Sequence, residues 1–315
     1  MADKLHTSAH PVVAPPGSSR SRRFFSGPAP WLIPSILVLL IVSLYPLIFA
    51  VFNSFRFYNL GVSVEPGGFV GFANYARALG DPDFLGAIVN TLTFCIVVTA
   101  VEMVLGVALA LLLRERLVGV GVARAILIMP VAIAPAIAGL TFRSMYTSGT
   151  GLVPAVMEKL GIHVPEAGIL GDPASAMPAL MITDIWQWTP FVALIALAAL
   201  QGVPQDVVEA ARVDGAGGFR ILSSITLPMI GTALATVALL RFIQSFNVFD
   251  IIYVQTRGGP GGSTTTVGFE IFMAGLNSYN IGFASALTML ASIIVGVFIN
   301  VYFVVSNRKG RTRNV

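Results

Sequence analysis

Residues 201–228 read QGVPQDVVEAARVDGAGGFRILSSITLP and form a polar, charged stretch between two long apolar runs. The flanking runs, 177–201 and 229–251, each reach the length of about 20 residues that a bilayer-crossing helix needs. Asp214 and Gly215 in the middle of the polar stretch are a turn signal. A charged segment with a turn between two spans predicts a surface that another protein grips.

The rest of the chain has the composition of a membrane protein. Of its 315 residues, 56% are apolar and 11% are charged, and the mean hydropathy is +0.83. A soluble domain is about one quarter charged. Six runs qualify as spans: 31–52, 88–113, 122–145, 177–201, 229–251 and 283–305. The run 229–251 is the weakest because it contains Arg241 and Asp250, and without it the two chain ends would lie on opposite sides.

The distribution of Lys and Arg predicts the orientation of these spans, because cytoplasmic segments carry the excess of positive charge. With the N-terminus inside, thirteen of the 19 Lys and Arg are cytoplasmic, five are outside and Arg241 lies in the membrane. The cytoplasmic set is Lys4, Arg20, Arg22, Arg23, Arg114, Arg116, Arg124, Arg212, Arg220, Arg308, Lys309, Arg311 and Arg313. We therefore expect six spans with both termini in the cytoplasm, and the net charge of +4 needs no nucleic-acid partner.

The domain organisation follows from the same runs. Residues 1–30 are rich in Pro, Ser and Arg and predict a disordered basic cytoplasmic tail. A cleaved signal peptide is the alternative, but the following apolar run is too long and no small-residue cleavage pattern is evident. Residues 31–305 predict one helical membrane domain, and 306–315 a second basic cytoplasmic tail. The single cysteine, Cys95, falls inside the second span, so no intrachain disulfide can form.

Enzyme signatures are poor. The three His residues lie outside the spans, and neither paired-Cys nor His-Glu-x-x-His spacing occurs, so a metal site is not expected. The glycine-rich run 258–262 lacks the Lys of a phosphate-binding loop. Two interpretations of that run remain open: a flexible connector, or a docking surface for an outer partner at Gly258, Gly259 and Pro260.

Ionisable groups inside the spans are costly and mark helix contacts or an aqueous path. They are Glu102, Asp184, Arg241 and Asp250. We expect Glu102 to be a structural hydrogen-bond partner of a neighbouring helix. Asp184 and Asp250 lie near span ends, where an interfacial position is expected.

Polar and aromatic residues on spans four and five predict a path for a hydroxyl-rich solute, because rings cover its apolar faces and amides bind its edges. An aromatic belt with polar contacts between helices is the alternative. Pro130, Pro135 and Pro190 predict bends, either passive or lining that path. The candidate path residues are Gln187, Trp188, Phe191, Arg241, Gln244, Ser245 and Val248.

The polar stretch predicts two short helices. Pro204 suits the first turn of a helix over 205–213, and Asp214-Gly215 ends it. A second short helix is expected over 217–224, which makes the stretch a compact knob.

Residues 209–228 carry the pattern Glu-Ala-Ala, three residues, Gly, nine residues, Ile-x-Leu-Pro. In this the chain resembles the permease subunits of binding-protein-dependent ABC importers, whose signature is this EAA loop. The strings VGFANY at 70–75, NTL at 90–92 and TRGGP at 256–260 resemble the carbohydrate-uptake branch, on the side of the maltose-type first permease. The similarity covers residues 31–305. The maltose protein differs in having extra spans and a large outer domain.

The resemblance implies the type I ABC importer permease fold, an all-α membrane protein in the bacterial inner or plasma membrane. It implies a second, unlike permease, a dimer of cytoplasmic ATPase subunits that binds ATP and Mg²⁺, and an extracytoplasmic solute-binding protein. This chain itself is expected to have no catalytic residue and no cofactor. The ATPase-coupling residues it implies are Glu209, Ala210, Ala211, Asp214, Gly215, Ile225, Leu227 and Pro228.

The solute stays open at this stage. A di- or oligosaccharide leads, polyols follow, and glycerol-phosphate compounds are a third possibility because Arg241 offers a partner for a phosphate. A stand-alone secondary transporter is a different class and predicts inverted repeats, which the sequence does not display. An intramembrane enzyme is disfavoured by the missing catalytic patterns.

Overall fold

A computed structural model describes residues 29–114 and 119–311. Most of the tail predicted at 1–30, including Lys4, Arg20, Arg22 and Arg23, lies outside the described residues, as do Arg116 and Arg313. The prediction of disorder in the first tail therefore stays a prediction. The last helix continues through Arg311, into the segment predicted as the second tail.

The described residues form an all-helical fold, with one isolated antiparallel bridge between Arg56 and Phe69. The helices are α1 (Ala29–Ser54), α2 (Ala73–Leu79), α3 (Pro82–Arg114), α4 (Val120–Ala132), α5 (Pro135–Tyr146), α6 (Leu152–Lys159), α7 (Pro173–Gln201), α8 (Gln205–Val213), α9 (Gly218–Ile221), α10 (Leu227–Met229), α11 (Gly231–Phe246), α12 (Asp250–Gln255), α13 (Val267–Phe272) and α14 (Ile281–Arg311). Single π-helical turns occupy Leu222–Thr226 and Met273–Asn277.

The chain divides into two compact units, Met1–Phe49 and Ala50–Val315. In the first unit the described part is the beginning of α1, an apolar helix that contains Pro34 and Pro46. In the second unit the segment after α1 is fixed by Asn74, whose Nδ2 donates to the carbonyl oxygens of Ser54 and Arg56.

The six-span prediction agrees with the helices, with one difference in the third span. Within residues 29–114 and 119–311, five helical stretches are long and apolar enough to cross a membrane, and a sixth results if α4 and α5 count as one span bent by 96°. The bend falls at Ile133 and Ala134, which are both extended. Pro135 causes it, because proline lacks an N–H and disfavours the helical conformation in the preceding residue. By contrast, α7 runs unbroken past Pro190.

Close packing of α3 against α7 forms the centre of the second unit. Gly106 makes this approach possible, because a Cβ there would lie 2.6 Å from Cγ1 of Val192. Ala110, Ala196 and Leu200 continue the contact and are buried. The same apolar cluster extends to Val208 of α8, so the polar stretch rests on the end of this helix pair.

The polar stretch folds largely as its sequence predicts. Helix α8 spans Gln205–Val213, and Gly215 adopts a φ of 78°, the left-handed conformation that ends a helix at low cost for glycine. The second helix differs from the prediction. It is divided into α9, a π-helical turn and α10, which together continue to Met229.

Candidate functional site

A buried ion cluster joins the second, fourth and fifth spans. Arg241 of α11 is 1% exposed, and its Nε and Nη2 donate to the two carboxylate oxygens of Glu102 at 2.6 and 2.8 Å. Nη2 also donates to Oδ2 of Asp184 at 2.7 Å. Nη1 donates to Oε1 of Gln244 at 3.1 Å. Such a bidentate, charge-assisted arrangement is how a membrane interior accommodates a guanidinium.

The ion cluster tests three predictions about ionisable residues. Glu102 is indeed a structural partner of a neighbouring helix, as expected. The interfacial position expected for Asp184 is wrong, since its side chain is buried and bound to Arg241. The reason is a long-range ion pair, which a single sequence does not reveal. Asp250 is exposed at the start of α12, consistent with its expected position near a span end.

A small cavity of about 90 Å³ lies beside this ion cluster. Pro135, at the break of span three, lines one side of it. Asn247 and Phe249, at the interruption between α11 and α12, line another. The Trp188 ring lies 4.9 Å from Cζ of Arg241 and also faces the cavity. Both broken spans therefore meet at one chamber, which offers an indole, amides and the edge of the ion cluster.

The structure divides the predicted path residues into two groups. Four of them line the chamber: Trp188, Arg241, Gln244 and Val248. Three do not: Gln187, Phe191 and Ser245. Phe191 packs edge-on against Trp188, with ring centroids 6.1 Å apart, and Ser245 donates to the carbonyl oxygen of Phe242. Asn247, Phe249 and Asp250 line the chamber although they are not among the predicted path residues. A polar residue within an apolar run, Asn247, is the sequence signal that could have indicated this part of the lining.

Gln187 has a different position from the one predicted. It is fully buried, and its Nε2 donates to the carbonyl oxygen of Ile133 at 2.7 Å. Ile133 directly follows the last residue of α4, so this amide satisfies a backbone oxygen that the break releases. Gln187 therefore supports the bend of span three and does not line the chamber.

Helix α7 also holds the second half of span five, α12. Nε2 of Gln255 donates to Oγ1 of Thr183 at 3.0 Å, one residue before Asp184. Helix α12 also packs on α5, where Gly139 brings the backbone close to Ile251. Arg143 of α5 donates to the carbonyl oxygen of Val254 at 2.9 Å. The second halves of spans three and five, α5 and α12, thus form a pair beside α7.

The glycine-rich loop 258–262 is anchored by hydrogen bonds. Oγ1 of Thr264 donates to the carbonyl oxygen of Gly259 at 2.7 Å, and Oγ1 of Thr265 to that of Gly258 at 3.1 Å. Nδ2 of Asn90 on α3 donates to the carbonyl oxygens of Gly262 and Thr265. These hydrogen bonds attach the loop to α3 and to its own threonines, and the flexible-connector interpretation stays a prediction. Docking of an outer partner at Gly258, Gly259 and Pro260 stays a prediction.

The segment 201–228 presents a mixed apolar and charged surface. Glu209, Ala210, Asp214 and Gly215 are exposed. Val213 and Phe219 are 87% and 83% exposed, unusual values for such side chains. Residues between this surface and the core are half-buried: Ala211, Ile225, Leu227 and Pro228.

Metal binding has no support within residues 29–114 and 119–311. In this part of the chain no group of three or more His, Cys, Asp or Glu side chains is placed to hold an ion. Cys95 is a free, buried thiol.

Comparisons with known proteins agree with this architecture. Residues 31–309 match the family described as binding-protein-dependent transport system inner membrane component. The trehalose/maltose transport system permease protein MalF of Thermococcus litoralis is 42% identical over 74% of this chain and 78% of its own length. The trehalose transport system permease protein SugA of Mycobacterium tuberculosis is 32% identical over 85% of this chain and 86% of its own.

The fold is also that of solved permeases. A bacterial alginate ABC transporter, in complex with an alginate pentasaccharide-bound periplasmic protein, contains a chain with a TM-score of 0.78. The match covers 91% of this chain and 96% of that chain at 22% identity. This chain therefore belongs to the family of inner-membrane components of binding-protein-dependent transport systems.

Proposed function

We propose that this chain is one of two unlike permeases of an ATP-driven ABC importer, and that the importer carries an uncharged di- or oligosaccharide. The observation that carries the proposal is the guanidinium of Arg241, which is already paired with two carboxylates beside the chamber between spans three, four and five. Family membership supports the transport role, and the residues that line the chamber support the class of solute.

The charge balance favours a neutral solute. Arg241 donates four hydrogen bonds to Glu102, Asp184 and Gln244, from the five N–H groups of its guanidinium. Among the described residues that line the chamber, Arg241 is the one cation, and two carboxylates already pair with it. A glycerol-phosphate solute would have to displace a carboxylate from this buried pair, which is costly.

The chamber lining suits a sugar. Trp188 offers an aromatic face, and Gln244 and Asn247 are amides exposed beside it. An indole covers the apolar face of a pyranose ring, while amides donate to and accept from its hydroxyl groups. The relatives named above transport trehalose or maltose by name, which supports a disaccharide over a polyol.

Coupling to the ATPase is assigned to the exposed surface of 201–228. Helix α8 is fixed to the core by Val208, while Glu209, Ala210 and Val213 point away from it. A rigid helix with exposed apolar and acidic groups suits a cleft on a partner, because burial of the apolar groups stabilises the complex. This segment and both chain ends are assigned to the cytoplasm on the Lys and Arg distribution.

Vesicle transport with the cognate ATPase, second permease and binding protein tests the proposal. We expect ATP-dependent, vanadate-sensitive uptake of a disaccharide such as trehalose or maltose. Uptake driven by an ion gradient without ATP would contradict the importer class.

A thermal-shift screen of the cognate binding protein tests the solute separately. Trehalose and maltose are expected to raise its melting temperature, and sorbitol and glycerol 3-phosphate are the comparison compounds. A shift produced by glycerol 3-phosphate alone would contradict the neutral-sugar assignment and leave the importer class intact.

A further inference from the structure

A second cavity, of about 570 Å³, lies between the end of span two and the segment 201–228. Its lining includes two arginines, Arg114 at the end of α3 and Arg212 of α8. Gln205 adds a polar amide, and Val208, Ile221 and Leu222 add apolar side chains. The lining thus combines positive charge with apolar surface.

The positive charge of this cavity is uncompensated in the described part of the chain. Among residues 29–114 and 119–311, the ion pairs are those of Arg241 with Glu102 and Asp184. Asp206, Glu209 and Asp214 belong to the same segment as Arg212, and the cavity lining includes none of them. Glu115, which follows Arg114 in sequence, lies outside the described residues.

The cavity lies beside the ends of two spanning stretches, where lipid head groups are expected. The stretch Pro82–Arg114 ends at Arg114, which lines the cavity, and the stretch Gly231–Gln255 begins five residues after Thr226, which also lines it. Behind it, Nη2 of Arg124 donates to the carbonyl oxygen of Leu113 and fixes the end of α3. Two guanidiniums together with apolar side chains at a membrane interface match the two parts of an anionic phospholipid.

We propose that this cavity binds the head group of an anionic phospholipid. The phosphate accepts hydrogen bonds from Arg114 and Arg212, and the glycerol backbone lies against Val208 and Ile221. Arginine forms bidentate hydrogen bonds with phosphate oxygens, and basic pockets between spans recognise acidic head groups. Because α8 forms one wall, the bound lipid braces the segment 201–228 against span two.

Native mass spectrometry of the purified full-length chain tests this site. The probes are phosphatidylglycerol and, as a neutral comparison, phosphatidylcholine. We expect the wild type to retain phosphatidylglycerol preferentially. Two cations near the membrane surface contribute enough attraction that the Arg114→Gln/Arg212→Gln variant should bind it roughly thirtyfold more weakly.

Arg220→Gln is the matched control, because Arg220 is an exposed arginine of the same segment that does not line the cavity. Its retention of phosphatidylglycerol should equal that of the wild type. Arg114→Lys/Arg212→Lys keeps both charges and should retain most of the binding, which separates loss of the site from loss of the fold.

Three results would overturn the proposal. They are undiminished retention in the double Gln variant, an equal loss in Arg220→Gln, and displacement of the lipid by an equal concentration of inorganic phosphate. The last result would indicate a site for free phosphate. None of these measurements uses a sugar, ATP or a partner protein, so their outcome is independent of the transport assignment.

Discussion

Two regions differ in whether their charged groups are buried and paired. They are the ion cluster of Glu102, Asp184 and Arg241 and the surface of segment 201–228. In the ion cluster, each charged group has a partner from another helix of the same chain, and exposure is 3% or less. In the segment, Glu209 is exposed, and Val213 and Phe219 are more than four-fifths exposed. The charges of the ion cluster are paired within the chain, whereas the exposed side chains of the segment are open to a partner.

This difference indicates separate tasks. A charge network buried in the membrane holds three spans in a fixed arrangement, because removing one member leaves the others unpaired in a medium that solvates them poorly. An exposed mixed surface gains stability only when a partner covers it. We therefore expect substitutions in the ion cluster to act on folding, and substitutions in the segment to act on coupling.

The largest stability effect is expected for Arg241→Gln. It leaves Glu102 and Asp184 buried without their cation, and breaking a buried ion pair costs about 3–5 kcal/mol. Thermal unfolding of the purified full chain measures it. Arg143→Gln is the control, because Arg143 is exposed and bonds to one backbone oxygen. Equal melting temperatures for the two variants would show that the ion cluster does not hold the spans.

In the segment 201–228 we expect the reverse outcome, a loss of uptake with little loss of stability. Glu209→Lys reverses an exposed charge, and Gly215→Asp places a side chain where the φ is 78°. Both variants should insert at wild-type abundance, yet ATP-dependent uptake should fall to background. Glu209→Lys should melt near the wild type, and Gly215→Asp slightly below it because of its positive φ. Normal uptake at equal membrane abundance would rule out the coupling assignment.

The sequence predicted the segment better than it predicted the ion cluster. Helix α8 has its predicted bounds because its start and its end are marked by local sequence signals, Pro204 and Asp214-Gly215. The partners of Arg241 are 139 and 57 residues away along the chain, and no local pattern encodes such pairs. For the same reason Gln187 was predicted to line a path, whereas it bonds to Ile133 at the break of span three.

A smaller stability effect is expected from packing between α3 and α7. In Gly106→Ala the new Cβ would meet Cγ1 of Val192 at 2.6 Å, and overpacking of this kind costs about 1–3 kcal/mol. Part of that cost is offset, because alanine favours a helix by about 1 kcal/mol over glycine. Gly86→Ala in the same helix and Gly217→Ala in the segment meet no atom within 4 Å. A melting temperature of Gly106→Ala above those of both controls would contradict the close packing.

The smallest effect on stability is expected at Glu270, which lies outside the spans and is half-buried. Burial raises the pKa of Glu270, and the nearby Asp81 and Asp83 carboxylates raise it further. A raised pKa means that the folded state binds the proton more tightly than the unfolded state. The contribution of Glu270 to the free energy of unfolding should therefore grow as the pH falls from neutrality through the raised pKa. This contribution should be fully present below the ordinary pKa range of glutamate.

Glu270→Gln should flatten this part of the pH profile of the melting temperature. An unchanged profile in the variant would show that the Glu270 carboxyl does not cause this pH dependence.

The most direct test of the division between the two regions is the accessibility of a cysteine at Ala210. The chain's one cysteine, Cys95, is buried, so an Ala210→Cys variant presents a single exposed thiol. We predict that a maleimide labels it rapidly in the purified chain and slowly once the ATPase is assembled, while Lys159→Cys on α6 reacts equally in both. Equal labelling of Ala210→Cys with and without the ATPase would contradict the account, because the exposed segment would then not be the surface that the partner covers.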